Sequence, residues 1–178
     1  MAGPVLPEEL LLAAHPADRP FGWHGGVLAV RVAGAALGKL VLAGRVAPHA
    51  KGLRRTGGAD PIGHPLLDAM LADTAAMGDG AAVWVHGWAP RAYAHARDAL
   101  LAGGALRHER HRRLWWRTDL TRLAEGHPGR AEVIERLREP ESRRDRLLAG
   151  LLHALGREPA EDAWVIDTVR RATRIGVD

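Results

Sequence analysis

The sequence predicts a mainly α-helical protein: a single compact domain over residues 1–178 with one or two small β-hairpins. Apolar residues recur at the three- and four-residue spacing of helices along most of the chain. Gly and Pro clusters divide the chain into segments of helix length, with two shorter stretches typical of hairpins. The length and the 47% hydrophobic content are enough for one hydrophobic core.

The first half of the chain predicts a buried helix between shorter elements. Leu6 to Ala14 has the pattern of a short helix with acidic residues in its first turn. Val27 to Ala43 is apolar almost all round and contains small residues that permit close packing, which predicts a central helix ended by Gly44. Arg45 to Thr56 predicts a small hairpin, and Pro65 to Met77 has the apolar spacing of another helix.

The middle of the chain predicts two helices and a second hairpin. Ala81 to Trp88 and Pro90 to Ala102 are expected to be separate helices, because proline favours the first turn of a helix. Ala105 to Thr118 predicts a hairpin that turns at Glu109 to Arg112 and returns through Leu114, Trp115 and Trp116. The remaining sequence predicts three further helices, at Gly129 to Arg138, Glu141 to Leu155 and Ala160 to Arg174.

The positive charge is concentrated in one segment. The chain has 25 Lys plus Arg against 21 Asp plus Glu, a net charge of +4. Residues 90–118 contain seven arginines and two acidic residues, so the whole excess lies in the last predicted helix of the middle region and its hairpin. This segment predicts a surface that binds anions.

Composition also excludes several classes of protein. The absence of cysteine excludes disulfide scaffolds and cysteine-ligated zinc sites. No uncharged run approaches the roughly 20 residues of a membrane span, and the N-terminal segment lacks the basic start of a signal peptide. We therefore expect a cytoplasmic protein.

Three motifs resemble nucleotide-binding, metal-binding or catalytic sites, but the residues around them do not support these functions. Gly34 to Leu40 resembles a phosphate loop, but it lies in mid-helix, its spacing is one residue short, and Leu40 replaces the magnesium-binding Ser or Thr. His108 and His111 have no third ligand nearby, which argues against a metal site. Ser142, the single serine, suits a helix cap. We therefore predict no catalytic residues, no metal, no cofactor and no enzyme activity.

The six tryptophans divide into three groups. Trp84, Trp88 and Trp164 are expected to anchor the core. Trp115 and Trp116 are adjacent, so on a strand they point to opposite faces, either packed under arginine stems or projecting outward as a wedge. Trp23 lies in a Gly- and Pro-rich loop, and amphipathic indoles favour interfaces.

Four sequence blocks, in this order and spacing, resemble the Golgi phosphoprotein 3-like family, including its bacterial members. They are Leu6-Pro-Glu-Glu-Leu-Leu-Leu, the stretch from Gly34 to Arg45, Gly63-His-Pro-Leu-Leu-Asp68, and Leu100-Leu-Ala-Gly-Gly-Ala-Leu106. The resemblance covers roughly residues 6–156. It implies a mainly helical domain that binds phosphatidylinositol 4-phosphate at the cytoplasmic face of a membrane, aided by an inserting hydrophobic hairpin.

The resemblance also implies site residues. Trp23 matches the family's tryptophan before the central helix, and Arg31 lies about two positions from its arginine. The family's paired arginines align near Pro90 and Tyr93, so Arg91 is a neighbour and the second arginine has no match, while His64 replaces a common acidic residue. The headgroup-binding set is therefore expected to be Trp23, Arg31, Arg91, His95 and Arg97. The membrane-inserting hairpin is expected to comprise Arg112, Arg113, Leu114, Trp115 and Trp116.

The sequence thus predicts a peripheral membrane protein whose partner is an anionic phosphoinositide. A winged-helix-like nucleic-acid-binding protein is the alternative, because a helix followed by a basic hairpin also describes a helix and its wing. Against specific nucleic-acid recognition, the helix at 90–102 is rich in alanine, and the chain contains no Asn or Gln to contact base edges. A protein cargo and a homo-oligomer both remain open.

Overall fold

The computed structural model describes residues 5–14, 26–49, 52–58, 60–74, 80–113, 116–124, 127–153 and 163–175, and for 109–120 and 163 the backbone alone. Within these ranges the chain forms seven helices and two hairpins. The helices are α1 Leu6–Ala14, α2 Val27–Leu42, α3 Pro65–Asp73, α4 Ala81–Ala102, α5 Pro128–Arg138, α6 Arg143–His153 and α7 Ala163–Ala172. The strands are β1 Val46–His49, β2 Gly52–Arg55, β3 Leu106–Arg113 and β4 Trp116–Leu123. The predicted mainly α class with one or two small hairpins is confirmed.

Helix α2 is the centre of the fold, as its all-round apolar sequence predicts. It packs against α1, α3, α4, α6 and α7. Its small residues allow this approach: Gly34 lies under Val169 of α7, and a Cβ at Gly38 would lie 2.6 Å from Leu147 of α6. Gly44 follows the helix with a φ of +66°, a conformation that favours glycine. The Gly34 to Leu40 motif is therefore a packing feature in the middle of a helix.

Helix α4 runs without a break through Pro90, so the prediction of two separate helices was wrong. Proline removes one backbone hydrogen bond and is unfavourable in a helix interior. The buried face continues on both sides of it, however, with Val85 and Ala89 before Pro90 and Ala92 and Ala96 after it. Burial of this continuous face against the core outweighs the lost hydrogen bond.

Each hairpin is a separate two-stranded antiparallel sheet. In the second, the backbone register runs from Leu106 opposite Leu123 to Arg113 opposite Trp116. The predicted turn at Glu109 to Arg112 was therefore wrong, because those residues belong to β3, which continues to Arg113. Leu114 and Trp115, which we expected on the returning strand, lie outside the described residues, and Trp116 begins β4.

Two ion-paired arginines join the first and later helices. Arg136 of α5 binds Glu9 of α1 at 2.9 Å and Asp145 of α6 at 2.6 Å, and Arg144 lies 2.7 Å from the second oxygen of Glu9. Ser142 caps α6, since its hydroxyl accepts from the Asp145 amide at 3.0 Å, as predicted. These contacts connect α1, α5 and α6.

The predicted tryptophan anchors are confirmed for α4. Trp84 and Trp88 are 9% and 8% exposed. Trp164 of α7 is half-buried and packs against the core. Among the described helices, none is both long enough and apolar enough to span a lipid bilayer.

Candidate functional site

Arg91 is an exposed cation held on an aromatic surface. Its guanidinium carbon lies 5.4 Å from the ring centroid of Trp88, one turn of α4 earlier, in a cation–π contact. The Trp88 ring is itself fixed, because its indole N–H donates to Asp73 at 2.8 Å. Among the residues that the structure describes, no acidic side chain pairs with Arg91, so its charge can attract an anion from solvent.

His95 lies one turn after Arg91 on the same helix, but its side chain is close to other side chains of the protein. Its ring centroid is 5.3 Å from that of His64, and His64 Nε2 lies 3.5 Å from Glu8 Oε1 of α1. One ligand atom from each of these three residues falls within 4.8 Å of the other two. Glu8 is buried, and both histidines are half-buried. We call Glu8, His64 and His95 the His–Glu cluster.

The loop before α3 fixes the position of His64. The Asp68 carboxylate accepts backbone N–H bonds from Ile62 at 2.6 Å, Gly63 at 3.1 Å and His64 at 3.0 Å. Gly63 has a φ of +83°, which turns the chain into the helix. Pro65 then begins α3, so the short Gly63-His-Pro block holds His64 against Glu8.

Burial changes the protonation of the cluster. It raises the pKa of Glu8 from 4.5 to about 7. Burial also lowers the pKa of His64 below its ordinary 6.5, and the neighbouring His95 lowers it further. His64 is therefore neutral at pH 7 and Glu8 is partly protonated, so their contact is not a full ion pair.

A cavity of about 760 Å³ borders this cluster. It lies between α1, the end of α4 and the start of α5. Its lining includes Glu8, His64, Leu12, Leu100 and Val133, together with Arg136. Most of the residues that line the cavity are apolar, and its titratable side chains are Glu8, Glu9, His64, His127, Glu132 and Arg136.

Arg31 and Arg97 are engaged by neighbouring protein groups. Arg31 of α2 donates from Nη1 to the backbone oxygen of Leu152 at 3.1 Å, near the end of α6, where the helix dipole favours a cation. Arg97 binds Asp98 at 2.8 Å on the exposed surface of α4. Among the described residues, no hydrogen bond or ring contact joins Arg31, Arg91, His95 and Arg97 to one another.

The hairpin β3–β4 carries most of the arginines of the basic segment. Its base is anchored, because Leu106 is buried and Leu123 packs against the core. With eight residues in β3, at about 3.4 Å per residue, the strand extends roughly 24 Å. The register places Arg112 opposite Arg117 and Arg113 opposite Trp116 at its far end. We call residues 112, 113, 116 and 117 the hairpin end.

The predicted set of site residues therefore separates into different places. Trp23, Leu114 and Trp115 lie outside the described residues. Arg91 is exposed, His95 belongs to the His–Glu cluster, and Arg31 contacts α6. Arg112 and Arg113 lie on β3. The positions of His108 and His111, three apart on one strand, lie on opposite faces of the hairpin.

The sequence did not indicate that Glu8 belongs with the histidines. Glu8 and Glu9 looked like first-turn acids of a short helix, although both are buried at 4% exposure. The available signal was the pairing of two adjacent acids with apolar residues on both sides, which is unusual for a solvated helix start. The long separation in sequence concealed the partners.

The structure defines a mainly helical domain around one buried helix, with a basic hairpin directly after its longest helix. The family model of Golgi phosphoprotein 3 (GPP34) matches residues 6–176, and the chain belongs to this family. Membership is consistent with lipid binding in general. No curated protein matches the chain at a significant level.

Proposed function

We propose that this protein is a peripheral membrane protein that binds anionic phosphoinositide headgroups of the phosphatidylinositol 4-phosphate type. The hairpin end carries the proposal, because three arginines and Trp116 occupy its last two residue pairs. Arginines bind phosphate groups, and tryptophan favours the boundary between water and lipid. Family membership supports the same class of ligand.

The magnitude of the electrostatic attraction is sufficient for reversible attachment. Each arginine near an anionic leaflet contributes about 1 kcal/mol, so the surplus of five charges in residues 90–118 supplies roughly 5 kcal/mol before screening. Burial of an indole adds up to a few kcal/mol. The sum approaches the roughly 8 kcal/mol of micromolar affinity.

Within the proposed headgroup site, Arg91 has the strongest support. It is exposed, and its guanidinium group lies over the ring of Trp88. To bind a phosphate, Arg31 would have to give up its hydrogen bond to the Leu152 carbonyl. Arg97 would have to give up its ion pair with Asp98. Trp23 remains a proposed member of the site, and Leu114 and Trp115 remain proposed parts of the inserting hairpin.

Vesicle sedimentation tests the proposal. The protein should sediment with phosphatidylcholine vesicles that contain phosphatidylinositol 4-phosphate, and much less with pure phosphatidylcholine. The double variant Arg112→Ala with Arg113→Ala should bind about 30-fold more weakly, as expected from roughly 2 kcal/mol for two arginines. Trp115→Ala with Trp116→Ala should also weaken sedimentation.

The first hairpin supplies a matched control. Arg54 and Arg55 are adjacent, exposed arginines on β2, so Arg54→Ala with Arg55→Ala removes the same charge from a different hairpin. This control should bind within a few-fold of the unmodified protein. Equal weakening by both double variants, or equal sedimentation with neutral vesicles, would contradict the proposal.

The same proteins can be tested against duplex DNA by fluorescence polarisation. We expect weak binding that falls steeply with salt and has no sequence preference. Nanomolar binding to one DNA sequence at physiological salt would instead favour the winged-helix-like alternative.

A further inference from the structure

The His–Glu cluster has the composition and placement of a metal-binding site. Two imidazoles and one carboxylate form the ligand set of several catalytic zinc centres, which leave a fourth position for water or another ligand. The three ligand atoms converge within 4.8 Å although they come from α1, the loop before α3, and α4. This convergence does not involve the basic hairpin.

The distances are compatible with coordination. Zinc bonds of about 2.1 Å to nitrogen and oxygen place tetrahedral ligands roughly 3.4 Å apart. His64 Nε2 and Glu8 Oε1 are already 3.5 Å apart. The His95 ligand atom lies within 4.8 Å of both, so a further approach of at most about 1.4 Å would complete the set.

The hydrogen-bonding of the cluster is incomplete. Glu8 Oε2, His64 Nδ1 and His95 Nδ1 are buried polar atoms without a hydrogen-bond partner in the described part of the chain. Glu8 is only 4% exposed, and such unpaired groups are costly in a protein interior. A bound cation with its water would satisfy the carboxylate, whereas coordination through His64 Nε2, the atom that faces Glu8, would leave His64 Nδ1 without a partner.

We propose that Glu8, His64 and His95 bind one divalent transition-metal ion, with Zn²⁺ as the fitting case, and leave its fourth position open to the adjoining cavity. Glu8 and His64 both line that cavity, so an incoming water or anionic oxygen reaches the ion from this side. Asp68 acts as a positioning residue, because its three backbone bonds hold the loop that carries His64.

Zinc titration of the full chain, prepared without a histidine tag and stripped with a chelator, tests the proposal. Competition with a chromophoric chelator should give one Zn²⁺ per chain. Glu8→Gln and His95→Gln, which preserve side-chain size, should each weaken binding at least tenfold, because even outer partners of metal ligands contribute 10- to 100-fold. His49→Ala is the matched control, since His49 is exposed on β1 and should not affect binding.

Circular dichroism establishes that each variant is folded. X-ray absorption of the unmodified zinc complex needs no variant and should show scattering from two imidazoles. The proposal is overturned if the unmodified chain binds no stoichiometric zinc, if the zinc has no imidazole ligands, or if folded Glu8→Gln and His95→Gln bind like His49→Ala. Failure of zinc binding leaves the vesicle result unaffected, so the two proposals are tested separately.

Discussion

Asp73 fixes two tryptophans through a single carboxylate oxygen. The indole N–H groups of Trp84 and Trp88 both donate to Oδ2, at 3.1 and 2.8 Å. Asp73 is the last residue of α3, where the helix dipole disfavours a negative charge by about 0.3–1 kcal/mol. The two indole bonds outweigh that cost. They also set the ring of Trp88 on which Arg91 rests, so a core contact determines the position of a surface cation.

We expect Asp73→Ala to reduce the free energy of unfolding by about 2–4 kcal/mol, because it leaves two largely buried N–H donors unpaired. Urea denaturation measures this value. Asp98→Ala is the control: Asp98 is exposed and pairs with Arg97 at the surface, so its loss should change stability by less than about 1 kcal/mol. Similar losses for both variants would show that the indole bonds contribute little.

At the residue scale, the sequence predicts burial better than it predicts partners. The tryptophans of α4 and the cap at Ser142 follow from local pattern, since spacing and neighbouring residues determine them. The neighbours of His95 do not, because Glu8 and His64 lie 87 and 31 positions away along the chain. Helical position alone places His95 beside Arg91 on a polar face, whereas tertiary packing brings His95 against His64 and Glu8.

At the scale of elements, the helix boundaries follow from the sequence where a local signal ends them. Leu6 to Ala14 is observed as predicted, and the central helix ends within one residue of the expected position before Gly44. The break before Pro90 was wrong because a proline signal is local, whereas the apolar face of α4 is continuous. The hairpin turn was also misplaced, since charged residues at 109–112 resemble a turn but pair with β4.

The continuity of α4 leads to a test of Pro90. This residue is exposed, and its replacement by alanine restores a backbone N–H within reach of the His86 carbonyl. We expect Pro90→Ala to raise the free energy of unfolding by about 1–3 kcal/mol, because alanine has a much higher helix propensity than proline. A small part of this gain is offset because alanine gives the unfolded chain more conformational entropy than proline does. Chemical denaturation measures the change.

Gly87→Ala is a control that changes helix propensity on the same helix without restoring a backbone hydrogen bond. Gly87 is exposed on the same helix, and a Cβ there meets no atom within 4 Å. Its replacement should add about 1 kcal/mol from propensity alone. A loss of stability in Pro90→Ala, with the expected gain in Gly87→Ala, would show that the proline shapes a helix conformation that the core requires.

At the scale of the whole molecule, the basic hairpin can be predicted from the sequence, whereas the His–Glu cluster cannot. Charge counting over residues 90–118 predicts the hairpin's role as an anion-binding surface, because charge is additive along a segment. The cluster depends on α1, α3 and α4 meeting around α2, which no segment indicates by itself. A family resemblance predicts the shared fold, but it does not supply contacts that arise from this chain's own His64.

Arg136 joins α1, α5 and α6 through a network of ion pairs. Asp145 lies within it, 6% exposed, and accepts from Arg136 and Ser142 at 2.6 Å each. Burial raises the pKa of Asp145, but the Ser142 and Arg136 hydrogen bonds and the charges of Arg136 and Arg144 outweigh it, so the pKa lies below the ordinary 3.8. The stabilisation by its negative charge is therefore fully present above pH 3.8 and is lost as the pH falls through the lower folded value.

Asp145→Asn should isolate this contribution, because the amide retains the shape and removes the charge. At pH 7 we expect a loss of about 1–3 kcal/mol in the free energy of unfolding, the range for hydrogen bonds to charged groups. The difference between the two proteins should shrink as the pH falls below 3.8, since Asp145 is then increasingly protonated in the unmodified chain. Urea denaturation at a series of pH values from 2 to 7 measures that difference, and other carboxylates cancel because both proteins contain them. A difference that stays constant over the whole series would mean that the charge of Asp145 does not help to hold α6 against α1 and α5.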